Sequence, residues 1–259
     1  MSKKIMFICM TALLAAMMLV AGCGGGEKKA ADNGKVLRIG SNASFAPFEF
    51  QEANGKEYVG FDMDLIRAVA KEMGYKAEIQ NINFDGLIPA LEAGNIDVAI
   101  SGMTINDTRK QKVNFSTPYY TSGLTIIVKK DNTAIKEFKD LAGKKVAVQI
   151  GTTSAAEVKK IGGVVIKEFN TAPDAFMELK AGNVEAVVND RPVNDYYIAK
   201  SGVKDVKALP QMLTSEEYGI AVKKKNADLL KKVNEGIEKV KKSGEYDKIF
   251  KKWFGEQKK

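Results

Sequence analysis

Apolar residues recur along the first half of the chain in two alternating patterns. Short apolar runs with the character of strands alternate with longer stretches that have the period of an amphipathic helix. These patterns predict strands at 36–41, 76–82 and 96–100 and helices at 62–73 and 85–93. A glycine follows each predicted helix, at Gly74 and Gly94, where a left-handed cap is favoured. This order of elements is typical of an open α/β sheet.

The same order begins again in the second half. A strand is predicted at 145–150, a helix from residue 154 and a further strand at 164–169. Residues 90–100 and 178–188 also share four identities in eleven positions, and both contain a helix, a glycine stop and a buried strand. Ala-Gly-Asn is a common helix stop, so the identities alone are weak. Together with the repeated order, they predict two similarly built lobes.

The first 22 residues have the pattern of a signal peptide. A basic start precedes an apolar run at 5–20, and small residues stand just before Cys23. Val-Ala-Gly-Cys resembles a bacterial lipobox, which implies cleavage before Cys23 and a lipid on this cysteine. The alternative is a membrane-spanning helix, although the run is short for the roughly 20 residues that a span needs. Residues 23–35 are expected to form a lipidated flexible tether.

Composition removes several classes of function. The 259 residues include no histidine, which excludes an imidazole-based triad and a histidine-ligated metal. Only Cys9 and Cys23 carry thiols, so the mature domain has no disulfide. The formal charge is +8, but the lysines concentrate at 223–259, where 228–240 has the spacing of an amphipathic helix with a solvated face. We predict no metal, no cofactor and no nucleic-acid partner.

Candidate binding groups follow the predicted strands. Ligands of open α/β sheets bind beyond the carboxyl ends of the strands. The segment after one strand supplies Ser101, Gly102, Thr104 and Arg109, and the planar guanidinium of Arg109 matches a carboxylate. A capping box at 104–107 is the alternative, and it would leave Arg109 on the surface.

Two other strand ends offer an anion site and an acid. Backbone N–H groups near Thr152 and Thr153 open onto a predicted helix N-terminus, which favours an anion. Asp190 can accept hydrogen bonds from an ammonium group. The alternatives are a simple N-cap in the first case and a local ion pair between Asp190 and Arg191 in the second. Jointly, these strand ends predict a site for both charged ends of a free amino acid.

From about residue 36 to 255 the sequence resembles the amino-acid-binding family of bacterial solute-binding proteins, the extracytoplasmic receptors of ABC importers. The resemblance is strongest to binders of glutamine and basic amino acids. It rests on the stretches SNASFAPFEF (41–50), YVGFDMDLIRAVAKEMG (58–74), NFDGLIPAL (83–91), SGMTINDTRKQKVNFSTPYY (101–120), VAVQIGTT (146–153) and VVNDRP (187–192).

The resemblance implies a two-lobed periplasmic-binding-protein fold of type II. In this α/β fold each lobe is an open sheet, two hinge strands join the lobes, and the lobes close on the ligand. The first lobe would comprise residues 36–122 and 221–259, and the second 123–220. Hinges are expected near 122–124 and 218–220.

The resemblance also implies roles for individual residues. Arg109, Thr104 and the backbone at Ser101 and Gly102 would take the α-carboxylate of the ligand, with Thr153 adding to it from the other lobe. Asp190 would take the α-ammonium.

The side chain of the ligand would lie between two aromatic rings, Phe45 and Phe84. Phe45 stands in a polar loop just past a strand, which favours an exposed site. Asn42 and Gln149 would set the selectivity, because both donate and accept hydrogen bonds and could pair with a side-chain amide. They favour glutamine or a similar polar neutral ligand, and a basic amino acid is the alternative.

The function that follows is capture of a free L-amino acid and delivery to an ABC transporter permease. The protein would be an extracytoplasmic monomer, anchored to the membrane through the lipid on Cys23. An enzyme or a sensor domain on the same fold ranks lower. An enzyme would need a general acid or base facing the ligand, and the single carboxylate of the predicted site is already matched to an ammonium group.

Overall fold

The computed structural model describes residues 35–52, 55, 57–200 and 204–256. The predicted signal peptide and Cys23 lie outside the described residues. Most of the predicted tether lies outside them as well, and its last residue, Lys35, is the first residue of a strand. None of the helices in the described ranges combines the length and apolar content that crossing a membrane requires.

Strands and helices alternate along the described chain. The strands are β1 (Lys35–Ser41), β2 (Ser44–Phe45), β3 (Glu49–Gln51), β4 (Tyr58–Val59), β5 (Tyr75–Asn81), β6 (Val98–Ala99), β7 (Val113–Phe115), β8 (Tyr120–Ser122), β9 (Leu124–Lys129), β10 (Lys145–Gln149), β11 (Val165–Phe169), β12 (Ala186–Asp190), β13 (Val206–Ala208), β14 (Glu216–Tyr218) and β15 (Ala221–Lys223). The α-helices are α1 (Phe61–Glu72), α2 (Leu87–Ala93), α3 (Asp107–Lys110), α4 (Thr153–Lys159), α5 (Ala172–Ala181), α6 (Arg191–Lys200), α7 (Ala227–Lys242) and α8 (Glu245–Phe254). Short 3₁₀ helices lie at Phe84–Gly86 and Phe138–Leu141.

Two five-stranded sheets form the centres of the two lobes. The first has the order β5-β1-β6-β15-β7, in which β5, β1 and β6 run parallel and β15 is antiparallel to both neighbours. The second has the order β11-β10-β12-β9-β13, in which β11, β10 and β12 run parallel and β9 is antiparallel to both neighbours. The same arrangement therefore occurs twice, as the repeated sequence pattern predicts.

The two halves also repeat in local detail. Gly94 and Gly182 cap α2 and α5 in the left-handed conformation, both with φ of 81°. The strands that follow these caps, β6 and β12, pair in parallel with β1 and β10. The predicted helix at 85–93 is a 3₁₀ turn followed by α2, and the predicted strand at 96–100 is reduced to two paired residues.

Two strands connect the lobes. β8 and β14 pair antiparallel with each other, separately from the two large sheets. β8 ends at Ser122 and is separated by one residue from β9 of the second sheet, and β14 ends at Tyr218, shortly before β15 of the first sheet. The two-lobed α/β fold with two hinge strands is thereby confirmed.

The core of the first lobe is formed where helices cover its sheet. The predicted amphipathic helix at 228–240 is confirmed as part of α7, and it buries Val233, Ile237 and Val240. This face lies against the apolar face of α1, which buries Ile66 and Val69. Each such side chain contributes about 1.5–3 kcal/mol when it leaves water.

Gly60 fixes the approach of the β2–β3 segment to the start of α1. Its φ is 133°, and the N–H groups of Phe61 and Asp62 donate to the carbonyl oxygens of Pro47 and Phe48, both at 2.9 Å. A Cβ atom at Gly60 would lie 2.0 Å from the Phe48 oxygen. The close contact positions two acids that lie near the cleft, Glu49 and Asp62.

Gly60→Ala is expected to lower the free energy of unfolding by about 3 kcal/mol or more, because it adds a steric clash to an unfavourable φ. Gly74→Ala is the matched control. Gly74 also has a positive φ, of 72°, but no neighbouring atom lies within 4 Å of the place that a Cβ atom would take. It should cost only about 1–2 kcal/mol. Denaturant unfolding of both variants measures the difference, and equal losses would contradict the steric role of Gly60.

Candidate functional site

One cavity lies between the ends of the two central sheets. The first lobe contributes Asn42, Phe45, Glu49, Phe84, Ser101, Gly102, Thr104 and Arg109, and the second contributes Gln149, Thr152, Thr153 and Asp190. All eleven residues predicted from the sequence therefore line the same cavity, and Glu49 joins them. Their roles toward a ligand stay predictions.

Arg109 is turned into the cavity by the helix that carries it. Asn106 caps α3 by accepting a hydrogen bond from the Arg109 N–H at 2.9 Å, and Arg109 is only 8% exposed. The capping box at 104–107 and the surface position of Arg109 are wrong, because Asn106 is the cap and the Thr104 hydroxyl bonds elsewhere. Burial lowers the pKa of Arg109 to about 10, against the opposing charges of Glu216 and Asp190.

The Arg109 guanidinium is held by neutral groups. Nη1 donates to the carbonyl oxygen of Thr104 at 2.8 Å, and Nη2 donates across the cleft to that of Gly151 at 3.1 Å. Its Cζ stands 5.2 Å from the centre of the Phe84 ring. These contacts orient the cation and leave its charge without a directly bonded anion.

Asp190 is the last residue of β12 and is buried. Its Oδ1 accepts hydrogen bonds from the hydroxyls of Tyr218 at 2.6 Å and Ser122 at 3.1 Å, one from each hinge strand. Burial raises the pKa of Asp190 to about 7, and the charge of Glu216 adds to the effect. The ion pair with Arg191 is wrong, because Arg191 begins α6 and pairs instead with Asp195, one turn along the helix, at 2.9 Å.

The cavity thus has one cation and one anion that do not pair with each other. Within the described ranges, neither Arg109 nor Asp190 forms a salt bridge, and their hydrogen bonds go only to carbonyls and hydroxyls. A buried charge is costly unless a partner compensates it. The site is therefore electrostatically suited to a small molecule with one charge of each sign.

Asn42 and Gln149 meet across the cleft. Gln149 Nε2 donates to Asn42 Oδ1 at 2.8 Å and to the carbonyl oxygen of Asn170 at 2.9 Å. Asn42 Oδ1 also accepts from the hydroxyl of Ser44 at 2.7 Å. In the described part of the chain, Asn42 Nδ2 and Gln149 Oε1 form no hydrogen bond, so this wall offers one donor and one acceptor.

The two aromatic walls are buried. Phe45 is 6% exposed and lies at the end of β2, where it stacks on Phe48. The expectation that Phe45 is exposed is wrong, because residues of both lobes surround the cavity that it lines. Phe84 begins the 3₁₀ turn before α2 and is similarly buried.

The threonines of the cavity have different partners. Thr152 caps α4 by accepting from the Ala155 N–H, and its hydroxyl donates to the Gln149 carbonyl at 2.6 Å, while the residue also lines the cavity. The hydroxyls of Thr104 and Thr153 both donate to Glu216, a residue that the sequence analysis missed. The available signal was a pair of acids, Glu216 and Glu217, just before a predicted hinge.

Two buried acids lie at the cavity wall, Glu49 in its lining and Asp62 behind it. Glu49 accepts from the hydroxyl of Ser101 at 2.9 Å, and Asp62 accepts from the Gly102 N–H at 2.8 Å and the Tyr119 hydroxyl at 2.7 Å. Burial, together with the charge of Asp62, raises the pKa of Glu49 well above its usual range. Burial also raises the pKa of Asp62, to about 6.

Burial and mutual repulsion therefore favour the neutral form of these carboxyl groups, Glu49 above all. Through their hydrogen bonds the two acids hold the side chain of Ser101 and the backbone of Gly102. Neither acid is among the residues predicted from the sequence. The available signal was a single acid inside an apolar run, as in Phe48-Glu49-Phe50 and Phe61-Asp62-Met63.

Known proteins resemble this chain over almost its full described length. The probable histidine-binding protein of Neisseria gonorrhoeae is 38% identical over 255 residues, which cover 95% of this chain and 94% of that protein. Two solved structures of an ancestral arginine-binding protein, one bound to arginine and one to glutamine, match with a TM-score of 0.82. Each is 50% identical and covers 85% of this chain and 98% of its own.

The family model for bacterial extracellular solute-binding proteins, family 3, matches residues 37–256. This match includes both central sheets, both hinge strands and every residue that lines the cavity. The chain therefore belongs to family 3 of the bacterial extracellular solute-binding proteins.

Proposed function

We propose that this protein captures a free polar L-amino acid in the cavity between its lobes, with glutamine as the favoured ligand. The observation that carries the proposal is the unpaired, buried combination of Arg109 and Asp190. An α-carboxylate can accept two parallel hydrogen bonds from the guanidinium, and an α-ammonium can donate to Asp190. A zwitterion would thus compensate both charges at once.

Binding would favour the closed arrangement of the lobes. The wall of the cavity is shared, since Arg109 of the first lobe donates to Gly151 of the second and Gln149 of the second donates to Asn42 of the first. A ligand that contacts both walls has its full set of contacts only when the lobes are together. We place the lobe boundaries at 36–122 with 221–259 and at 123–220, with rotation near 122–124 and 218–220.

The groups near Asn42 and Gln149 favour a ligand whose side chain ends in a primary amide. Asn42 Nδ2 is a donor and Gln149 Oε1 is an acceptor, which matches the oxygen and the nitrogen of an amide group. Phe45 and Phe84 would flank the apolar part of the ligand. A basic amino acid is the second candidate, because similar proteins are named for binding arginine and histidine.

Release would deliver the amino acid to the permease of an ABC transporter. We propose that the protein works outside the cytoplasm as a monomer and that a lipid on Cys23 holds it at the membrane after removal of residues 1–22.

We also propose that the protein binds its ligand without converting it. Among the described residues that line the cavity, Arg109 and Asp190 would be engaged by the ligand's own charges, which leaves neither of them to transfer a proton.

A thermal-shift screen of residues 24–259 against the common L-amino acids is expected to show the largest stabilisation with L-glutamine. At a ligand concentration of about 100 times the dissociation constant, the gain is about 2.7 kcal/mol, because ligand binds only the folded state. The recovered ligand should be chemically unchanged. Absence of stabilisation by every amino acid would contradict the proposed function, and conversion of a ligand would favour an enzyme.

Asn42→Asp tests the selectivity within the same screen. A carboxylate at residue 42 should shift the preference from glutamine toward arginine and lysine, because it compensates a buried cationic side chain. Asn183→Asp is the matched control, since Asn183 is exposed and distant from the cavity. An unchanged preference in Asn42→Asp would show that selectivity is set elsewhere.

Affinity is expected to fall as the pH falls below about 7. The pKa of Asp190 is raised to about 7, so acid protonates it in the free protein. A ligand ammonium needs the ionised form, and a proton therefore competes with the ligand. Calorimetric affinities should fall by up to about tenfold per pH unit between about pH 7 and pH 5.

Asp190→Asn is the control for this pH dependence. The variant should bind weakly and with little dependence on pH in the same range, because residue 190 can no longer be charged. A wild-type affinity that stays constant from about pH 7 to pH 5 would contradict the pairing of Asp190 with an ammonium group.

A further inference from the structure

Glu216 is an acid of the hinge that accepts hydrogen bonds from both lobes. It begins hinge strand β14 and is buried, with 6% of its surface exposed. Its Oε2 accepts hydrogen bonds from the hydroxyls of Thr104 at 2.6 Å and Thr153 at 2.9 Å, and its Oε1 accepts from that of Thr214 at 3.1 Å. One carboxylate oxygen thus holds two hydroxyls that line the cavity.

The two hydroxyls come from different lobes. Thr104 stands between β6 and α3, in the first lobe, and Thr153 begins α4, in the second. Both bonds end on the same oxygen atom of a strand that joins the lobes. A rotation of either lobe about the hinge strands would lengthen at least one of the two bonds. The complete set of contacts therefore exists only when the lobes are closed.

Glu216 also fixes the direction of the hydrogen bonds that the Thr104 and Thr153 hydroxyls form. A threonine hydroxyl has one hydrogen, and in Thr104 and Thr153 this hydrogen is donated to a carboxylate that can only accept. Each hydroxyl is left with acceptor lone pairs. With their hydrogens engaged, these hydroxyls can accept from an ammonium, and Arg109 with backbone N–H groups can hold the carboxylate; the contact of the two threonines with the α-carboxylate stays a prediction.

The negative charge of Glu216 also favours an ammonium group in the cavity. Among the described residues it forms no salt bridge, and its charge acts on Arg109 and Asp190. Its negative charge adds to burial in raising the pKa of Asp190, while Arg109 opposes the effect. Tyr218 and Ser122 donate to Asp190, and Glu49, whose pKa is raised well above its usual range by burial, also lines the cavity. The charges of two acids, Asp190 and Glu216, and of one cation, Arg109, therefore act on the proposed ligand.

We propose that Glu216 is a positioning residue that links closure of the lobes to recognition of the ligand's ammonium group. Its carboxylate would accept a hydrogen bond from one hydroxyl of each lobe. Each hydroxyl would then have only its lone pairs to offer to the ligand. The proposal rests on the proposed function, because it assigns a role to a residue behind the amino-acid site. Glu216 itself need not touch the ligand.

The test compares two variants of the same hinge strand. Glu216→Gln keeps the shape but removes the charge and one acceptor, and Glu217→Gln is the matched control at an exposed position. Calorimetry would measure binding of L-glutamine and of 4-carbamoylbutanoate, which is glutamine without its α-amino group. A role in ammonium recognition should affect only the first ligand, whereas general damage to the site should affect both.

For Glu216→Gln we expect affinity for glutamine to fall by about tenfold or more and affinity for the analogue to change by less than about threefold. Small-angle scattering should also show a less compact protein at the same concentration of glutamine. Glu217→Gln should match the wild type in every measurement. Equal losses for both ligands, or no loss for either, would overturn the proposal.

Thr153→Val alone keeps the test decisive if Glu216→Gln is poorly folded, and a double-mutant cycle extends it if both variants fold. Thr153→Val removes the hydroxyl of the second lobe and leaves Glu216 in place, and it should reproduce the selective loss of glutamine binding. In the double variant the losses should not add, because both changes break the same contact. Additive losses would overturn the proposal, whereas a wild type that binds no amino acid would overturn the proposed function as well.

Discussion

The burial of two opposite charges that do not bond to each other is the constraint on which the site depends. Arg109 and Asp190 are both removed from water, and each is held by neutral groups. Direct pairing would satisfy both charges and leave nothing for a ligand. Because they lie apart across a cavity, both charges stay uncompensated until a zwitterion binds. The free-energy cost of burying each charge therefore favours a ligand that carries one positive and one negative group.

The fold supplies this separation through its repeat. Each lobe ends its parallel strands at the cleft, so the segments after β6, β10 and β12 face one another across it. The hinge strands run along the same cleft and add the groups that tune the charges: Ser122 and Tyr218 on Asp190, and Glu216 on the two threonines. The elements that allow the lobes to move are therefore in contact with the groups that sense the ligand.

The sequence predicted the architecture well, because periodicity and glycine stops are local signals. Gly94 and Gly182 mark equivalent helix ends, and the strand-end rule brought Arg109, Thr153 and Asp190 to one place. Pairings between distant residues carry no local signal. The capping box at Thr104 was wrong because Glu216, 112 residues away, takes its hydroxyl. Glu49 and Asp62 were missed for the same reason: only folding brings them behind Ser101 and Gly102.

A crystal structure of the complex with L-glutamine is the decisive test of the proposal that a zwitterion compensates both buried charges. We expect the α-carboxylate to accept two hydrogen bonds from Arg109 and the α-ammonium to donate to Asp190. The side-chain amide should lie between Asn42 and Gln149, with both lobes in contact with the ligand. A ligand bound elsewhere, or bound with its charged ends away from Arg109 and Asp190, would contradict it.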